Sequence, residues 1–206
     1  MKKILFPLAC AIILASCTSN SEYPKFTQCL NDNHIVMFGA SWCPHCAAQK
    51  QLFGRSVKDM PYFECSKNGE QVQECNDRAI ISYPTWQFQE STLSKLPKEA
   101  LTNLLNSELE KVRATSDNLR ETYKGKPEKL KIIADFDTKT KKLIGSDISE
   151  FDKLKKLTVL AEDTDSLREV TVYTAGRISG ERPLADIALY SGCNAAYQAD
   201  ISAAKK

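Results

Sequence analysis

Trp42-Cys43-Pro44-His45-Cys46 brings two thiols and an imidazole within one helical turn. The run follows an apolar stretch, Ile35-Val36-Met37-Phe38, and a Gly39-Ala40-Ser41 turn. A helix-compatible stretch, Ala47-Ala48-Gln49-Lys50-Gln51-Leu52-Phe53, comes next. A C-x-x-C that opens a helix just after a strand suits disulfide exchange. The helix N-terminus aims unpaired N–H groups and the positive end of its dipole at Cys43. That favours the thiolate, which is the nucleophile in exchange. His45 adds positive charge or a hydrogen-bond donor to the same sulfur, and Cys46 is placed one turn on to resolve a mixed disulfide. The competing reading of the motif is half of a zinc site. Zinc needs a second ligand pair. His34 is the only other histidine, and the remaining cysteines form no second C-x-x-C. The spacing favours redox chemistry, with no metal and no cofactor.

The N-terminus places this chemistry outside the cytoplasm. Lys2 and Lys3 precede an apolar stretch from Ile4 to Leu14, and Leu14-Ala15-Ser16-Cys17 follows. A charged start, an apolar core and small residues describe an export signal, too short to span a membrane. Leu-Ala-Ser-Cys resembles the bacterial lipobox, which implies cleavage after residue 16, a lipid on Cys17 and attachment to the membrane on its periplasmic side. An ordinary secretory signal is the other reading, and it also exports the chain. Residues 18–23 read as a tether, and a non-acidic Thr18 favours an outer membrane where one exists. Eight cysteines less Cys10 and Cys17 leave Cys29, Cys43, Cys46, Cys65, Cys75 and Cys193, an even set in an exported domain. The net charge of +2 shows no basic block, which argues against nucleic acid.

The elements that must position the pair follow in order. Residues 23–30 read as a helix, 35–39 as a buried strand, 46–57 as the active-site helix and 62–65 as a second strand. Residues 66–70 read as a turn and 71–79 as a helix. Cys65 ends a strand and Cys75 lies in the next helix, so the turn between them brings the two together as a structural disulfide. Cys29 and Cys193 are then left to pair by elimination.

Phe38-Gly39-Ala40-Ser41-Trp42-Cys43-Pro44-His45-Cys46, Gln49-Lys50, Leu52-Phe53-Gly54, Tyr62-Phe63-Glu64-Cys65, Cys75 and Tyr83-Pro84-Thr85-Trp86 occur in one order. Together they resemble the thioredoxin-like domain fused to, or partnering, bacterial and plant homologues of vitamin K epoxide reductase. The resemblance implies an α/β thioredoxin-like fold, a central mixed sheet flanked by helices. It implies a cis Pro84 opposite the C-x-x-C, with the backbone of Tyr83 presented to a substrate peptide. Trp42, Pro44, Tyr83 and Thr85 would then line the substrate groove. It also implies substrate proteins with cysteines and a membrane quinone reductase as electron partner.

After Trp86 the chain departs from that pattern. The missing turn, strand and terminal helix reappear as Ala175-Gly176-Arg177-Ile178-Ser179-Gly180 and Leu184 to Cys193. The reading is a thioredoxin-like domain of residues 24–89 and 169–197, interrupted by an α+β insertion at 90–168. Within it, Pro97 opens a helix to Tyr123 with an apolar stripe of Leu101, Leu105, Leu109, Val112, Leu119 and Tyr123. Leu130 to Phe136 and Lys142 to Ile144 read as a hairpin, and Leu157 to Leu160 and Val170 to Tyr173 as strands. The function expected is an exported thiol–disulfide oxidoreductase that forms or isomerises disulfides. A periplasmic reductase, a copper or zinc carrier using the same cysteines, and a non-catalytic lipoprotein are the alternatives.

Overall fold

A computed structural model describes residues 21–162, 173–174 and 176–205 of the chain. The export signal, Cys17, the first part of the tether and Val170 lie outside the described residues. Helix α1 (Pro24–Asp32) leads into strand β1 (Val36–Gly39), where Met37 is fully buried and Phe38 nearly so. Burial on both faces marks β1 as a central strand. Helix α2 (Pro44–Gln51) crosses over to β2 (Tyr62–Glu64), which runs parallel to β1 with Phe38 opposite Phe63. Parallel neighbours need such a crossover. The helix expected over 46–57 stops earlier. Gly54 sits at φ +51° and starts a 3₁₀ turn, Gly54–Lys58. A side chain there would run into the Glu22 carboxylate, which takes the N–H of Arg55 at 3.1 Å.

The turn expected at 66–70 is a hairpin of β3 (Ser66–Lys67) and β4 (Glu70–Gln71), with Asn68 and Gly69 at φ 55° and 84°. Asn-Gly is the pair that such a tight turn favours, because both residues need positive φ. Helix α3 is short (Gln73–Asp77). Strand β5 (Thr85–Gln87) lies antiparallel to β1. Its next neighbour in the sheet is β7 (Arg177–Ser179), paired antiparallel with Trp86 opposite Ile178. Strand β6 (Tyr173–Thr174) closes the edge, giving the order β2-β1-β5-β7-β6. A mixed sheet flanked by helices is consistent with a thioredoxin-like fold.

The described residues between β5 and β6 are helical: α4 (Glu90–Leu93), α5 (Lys98–Thr122), α6 (Pro127–Ile144) and α7 (Glu150–Glu162). Helix α5 follows the expected apolar stripe. The hairpin read at 130–144 is instead one helix. Ile133, Phe136, Thr140 and Leu143 are its buried residues, spaced three and four apart, and Pro127 stands at its first turn. Residues 157–160, read as a strand, belong to α7. Buried apolar residues of α5, α6 and α7 join those of α1, β1 and β5 in one continuous cluster. Among the described residues no helix is long and apolar enough to cross a membrane.

Helices α8 (Leu184–Tyr190) and α9 (Asn194–Ala204) return the chain to its start. Cys193, between them, is bonded to Cys29 of α1. Asp200 of α9 accepts the N–H of Phe26 at 2.9 Å, which satisfies one of the unpaired donors at the start of α1. Tyr197 packs on Phe26 with ring centroids 5.1 Å apart.

Candidate active site

Cys43 caps the N-terminus of α2, with Pro44 in its first turn. The position suits proline, whose missing N–H is no loss there. The N–H of Cys46 donates to Cys43 Sγ at 3.4 Å. Cys43 Sγ also lies 3.7 Å from the carbonyl oxygen of Tyr83. The Tyr83–Pro84 peptide bond is cis, and the Pro84 carbonyl accepts the N–H of Gly180 at 2.8 Å. Thr85 is buried, its hydroxyl donating to the Ser82 carbonyl at 2.7 Å and meeting Ser179 Oγ at 3.0 Å. The loop ahead of β5 is thereby held against the helix that carries the thiols.

A thiol that meets protein substrates is expected to be open to solvent, yet the structure places Cys43 at 6% exposure and Cys46 at 1%. Both stand as free thiols. Tyr83 and its loop close over Cys43, while Gly39 and Tyr62 close over Cys46. A Cβ on Gly39 would lie 2.7 Å from Cys46 Sγ and 3.0 Å from Tyr62 Cε2. Burial, aided by the hydrogen bond from Cys46 to Cys43 and the charge of Cys43, pushes the Cys46 thiol up to about 12 against a lowering by the Ala40 backbone. Cys46 therefore stays protonated at neutral pH.

Beneath the pair is a polar cluster. Tyr62 donates to Glu64 Oε2 at 2.7 Å, and Glu64 Oε1 accepts the N–H groups of Ser41 and Ser66, each at 3.0 Å. Burial raises the Glu64 carboxyl, but the donors Tyr62, Ser66 and Ser41 together outweigh it and hold it below the usual carboxylate range. Burial, then the bond to Glu64, pushes the Tyr62 hydroxyl well up. Lys50 Nζ stands 3.3 Å from the centre of the Tyr62 ring. Gln49-Lys50 and Tyr62-Phe63-Glu64 belong to the matched motifs, a signal that pointed to them without assigning a role.

Pro44 is exposed at the helix start. Trp42, 65% exposed, stands at the rim with its edge toward Tyr83 at 6.0 Å and its Nε1 donating to Ser66 Oγ at 2.8 Å. Ile81, 58% exposed, is a second apolar side chain in the stretch leading to Tyr83. His45 Nδ1 pairs with Glu181 Oε1 at 2.6 Å. Nothing local in the sequence links residues so far apart. The structure joins Cys65 to Cys75 and Cys29 to Cys193, each with Cα atoms 5.8 Å apart. Among the described residues, no three His, Cys, Asp or Glu side chains gather as a metal ligand set.

No protein-family model matches the chain. Over an alignment of 84 positions that covers 37% of the chain, the sequence is 37% identical to the thiol-disulfide oxidoreductase LTO1 of Arabidopsis thaliana. The chain holds a homologue of a thiol–disulfide oxidoreductase domain. It spans 22% of the length of that relative. Two disulfides and a separate dithiol fit a redox role.

Proposed function

We propose that the chain forms or isomerises protein disulfides through Cys43 and Cys46, on a thioredoxin-like fold. The observation that carries the reading is Cys43 Sγ at the cap of α2, 3.7 Å from the Tyr83 carbonyl. The N–H of Cys46 donates to that sulfur, which stands at the positive end of the helix dipole. In the oxidising direction a substrate thiolate attacks Cys43 of the Cys43–Cys46 disulfide. That bond breaks and Cys46 leaves, taking a proton. A second substrate thiolate then attacks the substrate sulfur of the mixed disulfide, and Cys43 leaves as a thiolate. The substrate loses two electrons and the protein gains them as a dithiol. A good leaving group at Cys43 speeds the last step and favours the reduced protein, which makes the protein an oxidant. Isomerisation uses the same thiolate to attack a substrate disulfide.

The reading includes an export signal, a lipid on Cys17, and attachment on the periplasmic side, at the outer membrane where one exists. A membrane quinone reductase resembling vitamin K epoxide reductase accepts the two electrons and restores the disulfide. The test mixes the oxidised full chain with a reduced protein that has native disulfides and with glutathione. Stoichiometric transfer of its disulfide to the protein supports the reading. Transfer only in the opposite sense, from dithiol to substrate disulfide, assigns a reductase. Metal binding without exchange assigns a metal carrier.

A further inference from the structure

Disulfide exchange between two thiols needs no carboxylate at Glu181, yet the loop that carries it is anchored on three sides. The N–H of Arg182 donates to Gln49 Oε1 at 2.6 Å, and Gln49 Nε2 donates to the Arg182 carbonyl at 3.0 Å. Gln49 lies one helical turn beyond His45 on the same face of α2. The Arg182 guanidinium turns inward to Glu108 Oε1 at 3.0 Å, and Lys111, also on α5, donates to the Ser179 carbonyl at 2.8 Å. The N–H of Gly180 binds the Pro84 carbonyl. Glu181 is exposed on this loop, and its carboxylate has a set place at His45.

We propose that Glu181 is a positioning residue for the Cys43–Cys46 pair, acting through His45. The inference rests on the exchange reading above. Glu181 accepts the Nδ1 proton of His45, which selects the tautomer and orients the ring. When the ring is protonated the two form an ion pair whose positive member sits on the first turn of α2, the turn that Cys43 caps. Positive charge there favours the Cys43 thiolate and so the reduced protein. The other charged groups near the pair are Lys50 and Glu64 beside Tyr62, and Arg182, whose guanidinium is turned away to Glu108. Both members of the His45–Glu181 pair are exposed, so salt screens the effect.

The test is the equilibrium in which the Cys43–Cys46 disulfide and two glutathiones give the dithiol and one glutathione disulfide. It is measured on the full chain, on Glu181→Gln, on His45→Ala and on the double variant, at low and high salt. Glu181→Gln is expected to lower the equilibrium constant about two- to five-fold at low salt, the size of an exposed charge pair. With His45 already replaced, the same substitution is expected to leave the constant unchanged. A double-mutant cycle isolates the contact in this way. Equal shifts in both backgrounds, or no shift in either, overturn the role of Glu181. A parent chain that exchanges no disulfide with glutathione overturns the exchange reading itself.

Discussion

Arg182 Nη2 meets Glu108 Oε1 at 3.0 Å in the interior and joins the loop beside the C-x-x-C to helix α5. Glu108 is 1% exposed. Burial raises its carboxyl in spite of Lys111 and Arg182, and burial also lowers Lys111. Among the described residues, Glu108 Oε2 and Arg182 Nε have no hydrogen-bond partner. The pair is therefore expensive to keep charged and more expensive to break. Attraction in a low-dielectric interior offsets desolvation only while both charges are present.

Removing one partner is expected to destabilise the protein by about 3–5 kcal/mol. Urea unfolding of Arg182→Met is the measurement. The double variant Arg182→Met with Glu108→Leu should recover part of the loss, because the buried carboxylate is gone and Lys111 keeps the Ser179 carbonyl. Equal stability of the single variant and the parent would show that the pair does not form in solution.

Gly39→Ala is expected to disturb the resolving thiol. Its new methyl would fall 2.7 Å from Cys46 Sγ, closer than unbonded atoms approach. Overpacking of this kind costs about 1–3 kcal/mol. Thermal melting of the reduced variant should show that loss, and mixed disulfides with substrate should outlive those of the parent. Unchanged lifetime and stability would mean the space at Gly39 is open.

Reduced protein is expected to lose stability as pH rises from 9 to 12 in part through Cys46. The folded thiol holds its proton up to about 12, against an ordinary value of 9.0. Between those values the folded state binds more protons than the unfolded state, so rising pH favours unfolding. Cys46→Ala removes this contribution. Calorimetric melts of the two reduced proteins should diverge across that window. A parallel decline would refute the assignment.

The two structural disulfides are expected to differ in effect. Cys65 and Cys75 are 10 residues apart, Cys29 and Cys193 are 164 apart. On the chain-entropy model the first stabilises by about 3 kcal/mol and the second by about 5 kcal/mol. Paired replacement by alanine, followed by denaturant unfolding, measures each. A free thiol at any of the four positions in oxidised protein, seen by peptide mapping, would contradict the pairing.

How much of this was legible varied with the range of the interaction. The start of α2 could be read from its own residues, because capping by Cys43, Pro44 in the first turn and a preceding apolar strand are neighbours in sequence. Cys65 and Cys75 could be read together, since a turn is all that separates them. The α5 stripe stood out because its leucines repeat at helical spacing. Helix α6 was misread for a local reason. Asp137-Thr138-Lys139-Thr140 has the composition of a turn, and the β-branched Ile132 and Ile133 before it resemble a strand. Packing against α7 and α5 overrode both tendencies.

By itself the sequence determined the chemistry on offer: two thiols and an imidazole at the start of a helix, in a chain whose other cysteines come in an even set. Only the tertiary structure decided the partners of those groups. Glu181 reaches His45, and Arg182 finds both Gln49 and Glu108, across separations that no periodicity records. Local rules follow from backbone geometry within a few residues. A buried charge, by contrast, is held by whichever opposite charge the folded chain brings beside it.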